Sequence, residues 1–173
     1  MEEEATNLEG VSGKEGAFQS VLDYAVDEVL TTHGYKETDD VILFDGVCNL
    51  CNAAVNFVLD HDQDEKFRFA ALQSETGHAL LRRYGRDPND MSSLVLVQHE
   101  KVYDKSDAML LIGQELNLPW NLPQLAVVAR TVVPKPLRDW FVSDIISKYR
   151  YKFFGASDEC RLMEEGLEKR FLT

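Results

Sequence analysis

Val41-Ile-Leu-Phe44 is a short, continuous apolar run flanked by Asp39-Asp40 and Asp45-Gly46, and Cys48 and Cys51 follow it three residues apart. A run of this length, bounded on both sides by acidic residues, suits a strand buried on both faces better than an amphipathic helix. After Cys48 the period changes: Leu50, Ala54, Phe57 and Val58 fall on one side of a helix, and Asn52, Asn56 and Asp60 on the other. The cysteines therefore mark a strand-to-helix junction. A strand covered on both faces requires a layered α/β domain.

The remaining periodicities fill in that domain. Apolar residues at 18, 21, 22, 25, 26, 29 and 30 follow one helical face, with Gly34 as a stop, and predict an amphipathic helix within 17–36. Phe67-Arg-Phe-Ala-Ala71 alternates as a strand does, and Ser74 is placed to cap a helix through Leu80 and Leu81 to a stop at Gly85. Ser93-Leu-Val-Leu-Val97, a turn at His99-Glu100 and Val102-Tyr103 predict a hairpin, and Ser106 is placed to cap a helix from Asp107 to Leu116. The order β-α-β-α-β-β-α closes into a small mixed sheet with helices on both faces, the thioredoxin-like arrangement. That domain is expected over 39–173, with a helical extension from about 122. The extension should hold a helix over Leu125 to Val133, a break at Pro134-Lys-Pro136, an aromatic-rich helix from Leu137 to Phe154 and a last helix after Ser157. Residues 1–16 are acidic, carry Gly10, Gly13 and Gly16, and lack apolar periodicity, so a disordered tail is expected there.

Charge narrows the partners. Eighteen Lys and Arg stand against 30 Asp and Glu, a net charge of −12, which disfavours nucleic acid and anionic membrane surfaces. The most apolar windows, Leu94 to Val97 and Ala108 to Ile112, fall far short of the ~18–20 residues of a membrane span. The first ten residues have neither the basic and apolar regions of a secretory signal nor the Arg-rich composition of a transit peptide. The expected compartment is the cytosol, or an organelle stroma or matrix if a presequence has been removed. Three cysteines, an odd number, argue against a secreted disulfide framework.

A Cys-x-x-Cys pair where a buried strand meets a helix has a specific chemical use. The first thiol faces the unpaired N–H groups at the positive end of the helix, an environment that favours thiolate. Cys48 is accordingly the expected nucleophile, and Cys51, one turn on, the resolving thiol. For Asp45 two roles stay open: accepting the Cys51 proton during resolution, or capping the turn. Cys160 is either a buried structural residue or a third redox thiol. A Cys3His zinc site from Cys48, Cys51, Cys160 and one of His33, His61, His78 or His99 lacks the second short-spaced ligand pair usual in structural zinc sites, so neither metal nor organic cofactor is expected. His78 and His99 are expected to be solvated. Trp120, Trp140, Phe141, Phe153 and Phe154 are expected in the core or in helix docking, with the rim of a substrate groove as the alternative. Arg138 and Asp139 are expected to form an ion pair or cap, and Arg150 likewise.

Asp45-Gly-Val-Cys48-Asn-Leu-Cys51-Asn resembles the signature of the DCC thiol-disulfide oxidoreductases. Phe67-Arg-Phe-Ala-Ala-Leu-Gln-Ser74, Ser106-Asp-Ala108, Pro136-Leu-Arg-Asp139 and Arg150-Tyr-Lys-Phe-Phe-Gly155 through Cys160 resemble later blocks of that family, in its order, so about residues 39–161 are covered. The resemblance implies a thioredoxin-like fold and disulfide exchange with protein or small-molecule thiols, with Asp45, Cys48 and Cys51 at the positions that give the family its name. Two departures from thioredoxins proper stand out. Asn49-Leu50 separates the cysteines in place of Gly-Pro, so no reduction potential is carried over. Met91-Ser92-Ser93 lies where thioredoxins carry a cis-proline beside the disulfide. The rival reading is a non-enzymatic binding or redox-sensing module that uses the cysteines for metal or packing.

Overall fold

The computed structural model of the chain describes residues 22–119, 121–142, 152, 155 and 167–172. A helix over 22–32 (α1) precedes β1 (Asp40–Phe44), α2 (Asn49–His61), β2 (Phe67–Ala71), α3 (Glu75–Arg83), β3 (Val95–Gln98), β4 (Lys101–Asp104) and α4 (Lys105–Glu115). Then come α5 (Leu122–Val132), α6 (Lys135–Trp140) and a short 3-10 turn at Glu168–Arg170.

The apolar run lies inside the sheet, whose order is β2-β1-β3-β4. β1 runs parallel to β2 and antiparallel to β3, and β4 runs antiparallel to β3. Alternate residues of a strand face opposite sides, and here both sides are filled. Val41 and Leu43 pack in one core with Leu30 of α1 and Leu80 of α3, while Ile42 and Phe44 pack in the other with Val55 of α2 and Ile112 of α4. Two covered faces explain why the run needs no polar alternation, and each such side chain contributes about 1.5–3 kcal/mol through burial. This is the thioredoxin-like α/β arrangement that the element order predicts.

Local signals set several boundaries. Ser74 Oγ accepts the Gly77 N–H at 3.0 Å and caps α3 as expected. At the other end Gly85 (φ +66°) takes the left-handed conformation, and Arg86 N–H closes on the Leu81 carbonyl at 2.8 Å. His99 and Glu100 both have positive φ, 49° and 61°, the backbone of a two-residue hairpin turn.

Other boundaries differ from expectation. The strand expected from Ser93 begins at Val95, where pairing to Leu43 on one side and Asp104 on the other starts. Ser106 does not cap α4. It lies within that helix, Asp104 holds the N-cap position, and the Ser106 hydroxyl bonds Asp139 and Arg138 instead. Pro134-Lys-Pro136 separates α5 from α6 as expected, but the second helix starts earlier, at Lys135, with Pro134 as its N-cap and Pro136 in its first turn, where prolines sacrifice no helical hydrogen bond. The expected tail over 1–16, the helix after Ser157, and Trp120, Arg150, Phe153, Phe154 and Cys160 lie outside the described residues.

One element has no counterpart in the sequence reading. Phe171 bridges Phe69 of β2 in parallel fashion, and Leu172 N–H donates to the Phe69 carbonyl at 2.8 Å, so 171–172 cover the free edge of β2. Arg170 anchors this segment: its guanidinium pairs with Asp62 and donates to the Phe67 carbonyl from Nε (3.1 Å) and Nη2 (2.9 Å). Asp62 closes α2 and also accepts the Lys66 and Phe67 N–H groups at 3.1 and 2.9 Å. These bonds offset the desolvation of two buried charges.

Candidate redox site

β1 ends at Phe44, and Asp45-Gly46-Val47 turns the chain into α2. Cys48 is the N-cap, with extended backbone (φ −90°, ψ 115°). Its N–H donates to the Asp45 carbonyl at 3.2 Å, and its carbonyl accepts the Asn52 N–H at 2.9 Å. The Cys48 side chain makes no capping hydrogen bond, and no acidic residue sits in the first turn of α2. The positive end of the helix is thus directed toward the Cys48 side of the turn without a neutralising carboxylate in that turn. The later chain reaches the same place: the Gly155 carbonyl accepts the Asn49 N–H at 3.5 Å.

The two cysteines occupy this one turn but differ in access. Cys48 is a free thiol with 0% exposure, and Cys51 is partly exposed. The thiol expected to attack is therefore the less accessible one.

Asp45 is 1% exposed. Its Oδ1 accepts the Val47 N–H at 3.2 Å and a Gln73 Nε2 hydrogen at 2.8 Å. The first of these bonds closes a side-chain turn, so turn formation, one of the two roles open for Asp45, is present. Gln73 also accepts the Gly46 N–H on Oε1 at 3.1 Å, and Asn52 Nδ2 donates to the Gly46 carbonyl at 3.1 Å. The turn is held from both α2 and the β2–α3 loop.

Three residues of this arrangement were not singled out from the sequence. Gln73 binds the turn. Gly77 lets the first turn of α3 lie against β2, since a Cβ there would come within 2.2 Å of the Ala71 carbonyl oxygen. Gly155, with φ +74°, brings its carbonyl to α2. Gln73 and Gly155 lie in blocks that carry the family resemblance, the signal by which they were legible; Gly77 lies just past one.

The other singled-out residues lie elsewhere. His61 ends α2, its Nδ1 2.8 Å from the Phe57 carbonyl oxygen and its ring stacked on Phe57. His33 Nε2 lies 3.9 Å from a Glu75 carboxylate oxygen. Among the described residues, no group of three or more His, Cys, Asp or Glu is placed to hold a metal ion. Trp140 and Phe141 are not core residues: both are more than half exposed and line an apolar cavity of about 420 Å³ with Met109, Leu110 and Leu137.

Arg138 and Asp139 form an ion network that joins α6 to α4. Arg138 donates to Ser106 Oγ (3.0 Å) and Asp107 Oδ1 (2.9 Å), and Lys135 pairs with Asp139 (2.6 Å) and Asp107 (3.3 Å). Burial works to raise the Asp107 carboxyl, but hydrogen bonds from Arg138 and Lys135 outweigh it and hold it below its ordinary range. Burial likewise opposes, and Lys135 and Ser106 outweigh, at Asp139, whose carboxyl is also lowered.

Comparison with known proteins agrees with this geometry. The model of the DCC1-like thiol-disulfide oxidoreductases matches residues 42–156, from β1 to just past Gly155. A chloroplastic DCC family protein of Arabidopsis thaliana is 47% identical over 140 residues, 80% of this chain and 79% of its own. Uncharacterized protein YuxK of Bacillus subtilis (strain 168) is 45% identical over 132 residues, 76% of this chain and 93% of its own. No solved structure matches. With its Asp45, Cys48 and Cys51 at one strand-to-helix turn and the family model spanning most of the described sheet, the chain belongs to the DCC1-like thiol-disulfide oxidoreductase family.

Proposed function

We propose that the protein exchanges disulfides with protein or small-molecule thiols through Cys48 and Cys51, without a cofactor. The observation that carries this reading is the placement of both cysteines in the first turn of α2, with the buried Asp45 carboxylate held in the turn that leads into it. The Cys48 thiolate attacks a substrate disulfide, forming a mixed disulfide and expelling one substrate thiolate, which takes a proton from water. Cys51 then gives its proton to Asp45, and its sulfur attacks Cys48 Sγ. The Cys48–Cys51 disulfide forms and the second substrate thiolate leaves, taking up the proton from Asp45. Two electrons have passed from the pair to the substrate, and the reverse sequence oxidises a dithiol.

The partial exposure of Cys51 beside a buried Cys48 favours a second order of events, in which Cys51 attacks and Cys48 resolves. Trapping with a disulfide substrate, followed by mass mapping, separates the two. In the first order Cys51→Ser accumulates a mixed disulfide on Cys48 while Cys48→Ser is inactive; in the second the variants exchange behaviour. Equal turnover in both variants and the wild type would sink exchange chemistry altogether. A pair that resists oxidation in glutathione buffers, or is released for oxidation only by a chelator, points instead to a packing or metal-binding module. The chloroplastic relative supports an organelle stroma beside the cytosol as the compartment in which to look for the protein.

A further inference from the structure

We infer that Gln73 is a positioning residue for the proton transfer of the resolving step, an inference that rests on the exchange reading and on Asp45 as the proton acceptor. Gln73 stands in the loop between β2 and α3, outside the motif that carries the cysteines. That loop is built rigidly. Leu72 N–H donates to the Phe44 carbonyl at 2.8 Å, Ser74 Oγ donates to the Ala71 carbonyl at 2.8 Å, and Gly77 allows α3 to start in contact with the end of β2. The side chain of Gln73 then reaches across to the redox turn with both ends of its amide. Oε1 takes the Gly46 N–H at 3.1 Å, and only an oxygen can do so, which leaves Nε2 facing Asp45 Oδ1 at 2.8 Å.

Val47 N–H and Gln73 Nε2 thus converge on a single oxygen of a carboxylate that is almost wholly buried. Two donors on Oδ1 fix the plane of the group and so the direction in which Oδ2 points. Transfer of the Cys51 proton to Asp45 needs that direction, because proton transfer is efficient only within hydrogen-bond reach. Val47 belongs to the turn itself, so Gln73 supplies the external reference: it ties the carboxylate to the sheet through β2.

The test uses the full chain carrying Cys160→Ser, which leaves Cys48 and Cys51 as its two thiols, and the aromatic disulfide dithiobis(nitrobenzoate). The reduced protein releases one coloured thiolate on forming the mixed disulfide and a second on resolution, so the two steps appear as separate phases. Gln73→Leu removes both amide bonds. Gln73→Glu keeps an acceptor for Gly46 and replaces the amide donor with a second carboxyl that competes with Asp45 for the proton. Both variants are expected to slow the second phase about tenfold or more, the effect of losing one hydrogen bond to a charged group, and to leave the first phase within about twofold. Asp45→Asn can keep the Val47 and Gln73 bonds while removing the proton acceptor. In that background Gln73→Glu should change the second phase by less than about twofold, because there is no transfer left to position.

A Gln73→Glu protein that resolves at the wild-type rate would overturn the inference. So would equal slowing by Gln73→Glu with and without Asp45→Asn, which would mark Gln73 as a structural brace alone. Asp45→Asn resolving at the wild-type rate removes Asp45 as acceptor and the inference with it, whereas absence of any second phase in the wild type strikes at the exchange reading itself. Should Gln73→Leu fail to fold, Gln73→Glu carries the comparison.

Discussion

Arg170 and Asp62 stand 108 positions apart in the chain and form a buried ion pair that joins the 3-10 turn to the end of α2. Removing the cation leaves Asp62 buried with its charge uncompensated. Arg170→Ala should lower the unfolding free energy by about 3–5 kcal/mol in a urea titration. A loss below about 1 kcal/mol would mean that Asp62 is rehydrated when Arg170 is absent and that segment 167–172 contributes little.

Glycine substitutions should separate two kinds of cost. Gly77→Ala forces a methyl group against the Ala71 carbonyl oxygen, a backbone atom that cannot step aside alone, and should cost about 2–3 kcal/mol. Gly34→Ala meets open space and strains only the left-handed backbone (φ +72°), for about 1–2 kcal/mol. Thermal denaturation of the two variants gives the order directly, and a Gly34→Ala loss larger than that of Gly77→Ala contradicts the close approach of α3 to β2.

The α4–α6 network should respond to acid. The carboxyls of Asp107 and Asp139 are held below their ordinary value of 3.8. Groups depressed in the folded state add stability that is fully present above the unfolded value and lost as pH falls through the folded one. Stability should therefore decline below about pH 4, and Asp139→Asn should decline less steeply over that window, because its neutral amide has no proton to take up. Parallel acid limbs for the two proteins, followed by melting temperature, would show that Asp139 does not contribute.

Alkylation should follow access. Reduced protein exposed briefly to iodoacetamide should be modified at Cys51 before Cys48, since Cys48 has no exposed surface in the resting protein and its attack on a substrate requires that cover to open. Peptide mapping that finds Cys48 labelled first would mean that the cover over that thiol opens on the timescale of the reaction.

Much of the sheet was legible because its signals are local. The β1 run, the alternation of Phe67 to Ala71, the Ser74 cap and the Gly85 stop each act within a few residues of where they stand. The site was legible only in part. Cys48, Cys51 and Asp45 fall in seven consecutive positions, but Gln73 reaches Asp45 from 28 residues away and says nothing of its partner in its own neighbourhood. Ser106 shows the opposite failure. It is a capping residue type placed before a helical pattern, but a distant pair, Arg138 and Asp139, claims its hydroxyl. Arg170 is an ordinary charged residue in sequence and becomes buried only because β2 presents an open edge and Asp62 a carboxylate beside it.

That edge sets an order of events in synthesis. β2 leaves the ribosome with its outer hydrogen-bonding groups bare, and 103 residues separate Phe67 from the Arg170 that helps cover them. At the usual rates of translation the edge stays open for roughly 5–20 s, long enough for another nascent strand to pair with it. Among the described residues, closing this edge falls to the segment made last, so its protection against pairing with another strand comes only when synthesis is nearly over.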